Sequence, residues 1–251
     1  MYREAPMNHD FNPPSILLPS APTTDQLSQT LHTLSQLPTL TFLQLSGPML
    51  LSPSLFWPSS YPSPPPSWPT LKTLAIDLNI ATPTGSWYFD RDPSAPIDDD
   101  SDDEEAASDT SSDTDDPDPF SPASNDSSPP PDPRHPNRFA RLVGDKPVRL
   151  YRTLPSPTEM PPLLLAMARA AGHMPALERM TLGAQLVGSS EDAVFQVEFL
   201  GRGVPGQFDE AGESERERVI WCVGKWRPQE GLEKVWREGR GEGLGWRFVE
   251  W

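Results

Sequence analysis

Leu37-Pro38-Thr39-Leu40-Thr41-Phe42-Leu43-Gln44-Leu45, Trp68-Pro69-Thr70-Leu71-Lys72-Thr73-Leu74-Ala75-Ile76 and Met174-Pro175-Ala176-Leu177-Glu178-Arg179-Met180-Thr181-Leu182 follow one pattern. A large apolar residue stands before Pro. Then come one free position, Leu, two free positions, Leu or Met, one free position, and Leu or Ile. The last positions of each copy read as a short strand, and the Pro ends whatever element precedes it. A strand unit repeated in this way stacks on its own copies, because each needs neighbours to bury its apolar face. A scaffold of that kind points to binding. It names no partner.

The segments around the three copies alternate helix with strand. Residues 23–37 read as a helix with Leu27, Leu31 and Leu34 on one face, Thr23 or Thr24 as cap and Pro38 as stop. The strand 40–45 follows at once. Residues 50–57 predict a short helical turn, and the five prolines in 58–67 a stiff spacer. The second strand is 71–78. A Pro–Gly turn and the aromatic cluster Trp87-Tyr88-Phe89 come next. Residues 160–174 read as a helix, with Pro161 and Pro162 in its first turn, Leu164, Met167, Ala168 and Ala171 in a stripe, and Gly172 at its end. Strands are expected at 194–199 and, antiparallel to it, 218–223. A helix at 228–240 and a strand at 246–251 finish the chain. Helix–strand alternation around Leu-x-x-Leu-x-Leu is the pattern of a leucine-rich repeat. Leu40 and Leu71 lie 31 residues apart, against about 20–29 in a regular array. The expected fold is therefore α/β: irregular leucine-rich-repeat-like helix–strand units with a long disordered acidic insertion.

Composition locates that insertion. The net charge is −16, yet the stretch from Asp98 to Asp126 holds 13 carboxylates and no Lys or Arg. The rest carries 23 acidic and 20 basic residues and is nearly neutral. Asp, Ser and Pro dominate residues 92–137, which offer too few apolar groups to offset the entropy of ordering. Four segments follow: a disordered N-terminal segment at 1–22, repeat-like units at 23–91, the disordered insert at 92–137, and the continued domain at 138–251. Ser101, Thr110 and Ser112 each precede an acidic residue by three positions. They are candidate phosphorylation sites for an acidophilic kinase, where phosphate would deepen the charge.

The sequence shows no motif of a catalytic or metal site. Cys222, the single cysteine, lies in Val219-Ile220-Trp221-Cys222-Val223 and reads as a core residue. No His lies at ligand spacing from another His or Cys. Gly239-Arg240-Gly241-Glu242-Gly243-Leu244-Gly245 follows a helix and lacks the Lys-Ser/Thr ending of a phosphate loop. No catalytic residue and no cofactor are expected. Arg216, Arg218, Lys225 and Arg227 interleave with Trp221 and Trp226, which reads as strand alternation with polar groups outward. The acidic tract would repel nucleic acid. No apolar run approaches membrane-span length, and the N-terminus lacks a signal-peptide pattern. A cytoplasmic or nuclear protein is expected, perceived as the remnant of a longer one because the chain opens on no capped element.

The Trp-Pro-x-Leu-Lys-x-Leu segment at Trp68, Gly85-Ser86-Trp87-Tyr88-Phe89, the helix–strand unit from Leu163 to Leu182, and the stretch from Trp226-Arg227-Pro228 to Val249-Glu250-Trp251 together resemble a family of fungal F-box and leucine-rich-repeat-like proteins. The resemblance covers most of residues 30–251 outside the acidic insert. It implies an N-terminal F-box that binds the Skp adaptor of a cullin ubiquitin ligase, and a repeat region that recruits substrate. Residues 1–36 contain no Leu-Pro-x-Glu-Ile/Leu opening of an F-box, so a Skp-type adaptor is a partner only of a longer form. The function expected is a non-enzymatic protein-interaction module, the substrate-recruiting part of such an adaptor. The alternative is a small hydrolase or transferase with an unrecognised site. Asp77, Asn79, Thr181 and Gln185, polar residues within or just after the apolar strand positions, are the candidate partner-binding residues.

Overall fold

The computed structural model describes residues 12–17, 25–58, 65–93, 152–186, 194–210 and 212–249. The chain divides into two units. One comprises Met1–Phe11 and Pro93–Leu150, of which Pro93 alone is described. The other, Asn12–Asp92 with Tyr151–Trp251, carries the fold. Its helices are α1 (Gln26–Ser35), α2 (Met160–Gly172) and α3 (Leu232–Arg240). Its strands are β1 (Phe42–Met49), β2 (Thr73–Leu78), β3 (Phe89–Arg91), β4 (Arg152–Pro155), β5 (Arg179–Gln185), β6 (Val194–Leu200), β7 (Arg218–Cys222) and β8 (Gly245–Val249).

Six strands form one mixed sheet in the order β1-β2-β5-β6-β7-β8. The first three are parallel and belong to the three copies of the sequence pattern. Their register is the register of the pattern itself: Leu43 lies beside Leu74 and Leu74 beside Met180, while Leu45, Ile76 and Leu182 make a second row. Equivalent apolar residues thus stack on one face of the sheet, as side chains alternating with a period of two require. The parallel run ends at β5. Both β5–β6 and β6–β7 are antiparallel, and β8 joins β7 in parallel through the α3 crossover. The chain is a mixed α/β protein.

Leu74, Ile76, Met180, Leu182, Phe195, Val197, Phe199, Val219 and Trp221 are buried on one face, against the helices. Phe199 stacks on Trp236 of α3 at 5.7 Å. α2 meets α3 at Gly172 and Gly239, where a Cβ on either would sit 2.8 Å from the other's Cα. Arg240 at the end of α3 donates to the Met174 carbonyl at 3.0 Å, and His173 is the C-cap residue of α2. The expected stripe of Leu164, Met167, Ala168 and Ala171 is buried. So are Leu51, Leu55 and Phe56, around the 3₁₀ turn Pro53–Leu55 expected between the first two strands.

α1 corrects the sequence reading. Its cap is Asp25, whose side chain accepts the Ser28 N–H at 3.2 Å. Its buried residues are Ser28, His32 and Ser35, whereas Leu27 and Leu34 are exposed. The polar face turns inward because each of its groups finds a partner there. Ser28 Oγ accepts the Ser52 N–H at 2.9 Å, and His32 Nδ1 donates to the Leu55 carbonyl at 3.0 Å. Ser35 Oγ accepts the Trp68 indole N–H at 2.7 Å. Burial lowers the His32 pKa, against the opposing pull of the Leu55 carbonyl.

Two further elements were not read from the sequence. β3 and β4 pair antiparallel, with Arg91 beside Arg152, so the two ends of the acidic insert leave from one short ladder. The expected insert at 92–137 and the expected resumption at 138 otherwise lie outside the described residues. The N-terminal segment was expected to be disordered over 1–22, but residues 12–17 run along the turn at 82–87. Ile16 N–H donates to the Pro83 carbonyl at 3.0 Å and the Trp87 indole donates to Asn12 at 3.0 Å. Gly85, at φ +88°, lies under this segment, and a Cβ there would meet the Pro13 carbonyl at 2.5 Å. Among the described residues no helix is long and apolar enough to cross a membrane.

Candidate functional site

With the helices on one side, the opposite face of the sheet presents Phe42, Gln44 and Ser46 of β1, Thr73, Ala75 and Asp77 of β2, and Arg179, Thr181, Gly183 and Gln185 of β5. These are mostly small or polar, and they are partly or fully exposed. The face continues into β6–β8 and is covered there. Val204 and Phe208, from the loop after β6, pack with Val249 on Leu200, Ile220 and Cys222. One half of the helix-free face is therefore open and the other roofed.

Arginines fasten the roof. Arg218, buried on β7, pairs with Asp209 and donates to the Val204 carbonyl at 2.7 Å. Arg179 pairs with Glu198 at 2.8 Å and donates to the Pro205 carbonyl at 2.8 Å. Arg247 pairs with Glu210 at 3.0 Å and with Glu213. Burial pushes the Glu198 carboxyl up, although Arg179 and Arg218 pull it down. Burial acts the same way on Asp209, but hydrogen bonds from Arg218 and from the Gly206 N–H outweigh it and hold that carboxyl low. Glu213 is held low by the Glu210 N–H, with further help from Arg247.

The structure brings three of the four proposed partner-binding residues onto the open face. Asp77 and Gln185 are exposed and Thr181 is half-buried. Asp77 also accepts the Gly47 N–H at 3.2 Å across the bulge of β1. Asn79 does not belong with them. It is buried, and its side chain accepts the Ala81 N–H at 2.9 Å, so it shapes the turn after β2. Ser101, Thr110 and Ser112 lie outside the described residues.

The remaining chemistry resolves into packing. The Cys222 thiol is pushed up to about 11 by burial and by Glu198, which keeps it protonated at neutral pH. Arg218 faces the roof rather than solvent, unlike the polar-outward expectation for that strand. Residues 239–245 turn from α3 into β8. A shallow groove of about 720 Å³ runs between α3 and β8 over Trp246 and Phe248. Its charges are largely spent on neighbours: Arg237 binds Glu233 at 2.6 Å and Arg227 stacks on Phe248 at 4.3 Å. Among the described residues no group of three or more His, Cys, Asp or Glu is placed to hold a metal ion. Sequence reasoning missed the Arg179–Glu198 and Arg218–Asp209 pairs. The one visible signal was Glu198, the single charged residue of the strand Val194–Leu200, which needs a counter-charge when buried.

Comparison with family models, with curated proteins and with solved structures finds no match to this chain.

Proposed function

We propose that the chain is a non-enzymatic protein-interaction module that holds its partner on the open half of the helix-free face, across β1, β2 and β5. The supporting observation is the shared register of the three pattern strands. It lays Gln44, Ala75 and Thr181 in one row and leaves them uncovered, while the other half of the same face carries a roof. A parallel stack with helices on one side and a bare sheet on the other is the arrangement in which repeat scaffolds bind proteins. On this reading the units are leucine-rich-repeat-like. The chain then acts as the substrate-recruiting part of an F-box-type ubiquitin-ligase adaptor, as the resemblance implies.

The test is affinity capture with the intact chain and with the combined variant Asp77→Ala, Thr181→Arg and Gln185→Ala. All three positions are exposed or half-buried, so the circular dichroism and melting curve should not change. Specific partners should be lost with the variant. Undiminished capture by the folded variant would place the binding surface elsewhere.

A further inference from the structure

The loop that joins β6 to β7 lies over a surface that is complete without it. The β6–β7 ladder closes with Leu200 beside Arg218 and uses no loop residue. Of the loop's described residues, 201–210 and 212–217, Glu213–Glu215 alone are regular, as a 3₁₀ turn. Val204 and Phe208 pack on the apolar patch of the sheet, and both are half-buried. The other ties come from three arginines of the sheet. Arg218 holds Asp209 and the Val204 carbonyl, Arg179 the Pro205 carbonyl, and Arg247 both Glu210 and Glu213. Segments with few buried apolar contacts open at a lower free energy than the core they cover. Lifting this one strands no charge, because Arg218 and Asp209 then both meet water.

The loop also keeps its own shape. The Gly203 N–H donates to the Ser214 carbonyl at 2.6 Å, and the Gly206 N–H donates to Asp209 at 2.6 Å. Glycines stand where it turns: Gly201 follows β6 directly, and Gly203 and Gly212 hold φ of +81° and +86°. Beneath it the sheet continues the open face without a break. Gln44, Ala75, Thr181, Glu198, Ile220 and Arg247 form one row from β1 to β8. The first three are open, and Ile220 is roofed.

We propose that this loop is a lid: it lifts from the helix-free face as a unit, without unfolding the sheet, and extends the surface open to a partner from β5 across β6 and β7. What it uncovers is the apolar patch of Leu200, Ile220 and Cys222, with Arg218 and Arg247 as cross-strand neighbours. The lid rests on the reading of this face as the binding surface, but its opening is measured without any partner.

Cys222, the single cysteine and part of the covered patch, reports the opening. Its rate of reaction with a disulfide reagent is measured in the full chain, at urea concentrations below the unfolding transition. The rate should depend only weakly on urea, because a lid exposes little surface, whereas reaction through global unfolding follows the full denaturant slope. Asp209→Asn removes the loop's carboxylate from Arg218 and should raise the rate roughly tenfold or more. Leu182→Ala weakens the opposite face of the sheet and should leave the rate in the absence of urea unchanged. A rate that follows global stability, in urea or in Leu182→Ala, overturns the lid. So does a rate indifferent to Asp209→Asn. Undiminished capture by the variant at Asp77, Thr181 and Gln185 would instead sink the binding face, and the labelling result would stand.

Discussion

The two ends of the sheet are held together by different forces. At the β1–β2–β5 end the sequence repeats, the strands are parallel, and the polar groups that pack are neutral: Ser28, His32, Ser35 and the Trp68 indole. At the β6–β7–β8 end nothing repeats and the strands reverse direction. There the helix-free face is closed by Arg179, Arg218 and Arg247 on carboxylates. At the first end each strand repeats one short local pattern and needs only a copy of that pattern beside it. The second needs partners that the chain brings together from a distance, as when Arg247 meets Glu213.

The largest effect should come from breaking the charged end at its buried centre. Arg218→Met strands Asp209, its partner in the loop after β6, at a cost of about 3–5 kcal/mol. Adding Asp209→Asn should return part of that loss in a double-mutant cycle. Chemical denaturation of the four chains measures both. Equal stability of Arg218→Met and wild type would show that the roof does not depend on the pair.

The repeated end should respond by position. Leu182→Ala and Leu74→Ala remove fully buried side chains from the middle of the stack, costing about 2–5 kcal/mol each. Leu45→Ala, in the row of Leu182 but half-exposed on the edge strand, should cost clearly less. A uniform loss across the row would mean that β1 is covered in solution.

Acid should separate the two ends. Burial holds the His32 pKa below its ordinary 6.5, so the native state binds that proton less well than the unfolded chain. Its contribution is present above 6.5 and is lost as the pH falls through and below that value. Asp209 and Glu213 are held below their ordinary 3.8 and 4.5, so what they contribute is lost only further into acid. Glu198, raised above 4.5, has the opposite sign and partly offsets that loss. Hydrogen exchange should therefore quicken first in α1 and later in residues 204–213. His32→Gln should remove the first step and leave the second.

The smallest effect is expected between the halves of the chain. Arg91 and Arg152 are already neighbours in the β3–β4 ladder, so deleting residues 95–134 shortens a connection whose ends meet. Closing a shorter loop costs slightly less, and the thermal midpoint should stay the same or rise a little. A cooperative loss of structure would show that those residues belong to the fold.

The sequence by itself determined the strands of the six-stranded sheet, the helices α2 and α3, and the register of the parallel stack. Apolar periodicity and the Pro before each pattern are local signals, and copies of one pattern align by burying equivalent residues. It also placed Asp77, Thr181 and Gln185 on one face, since they fall between the apolar positions of adjacent strands. Tertiary structure decided the rest. It turned α1 over, because hydrogen bonds to Ser52, Leu55 and Trp68 favoured the polar face, which a helical stripe of leucines does not reveal. It buried Asn79 in a turn, reversed the sheet after β5, and closed one half of the helix-free face with a loop. Those outcomes depend on which distant groups meet, and pairing energies between residues far apart in the chain leave no period to read.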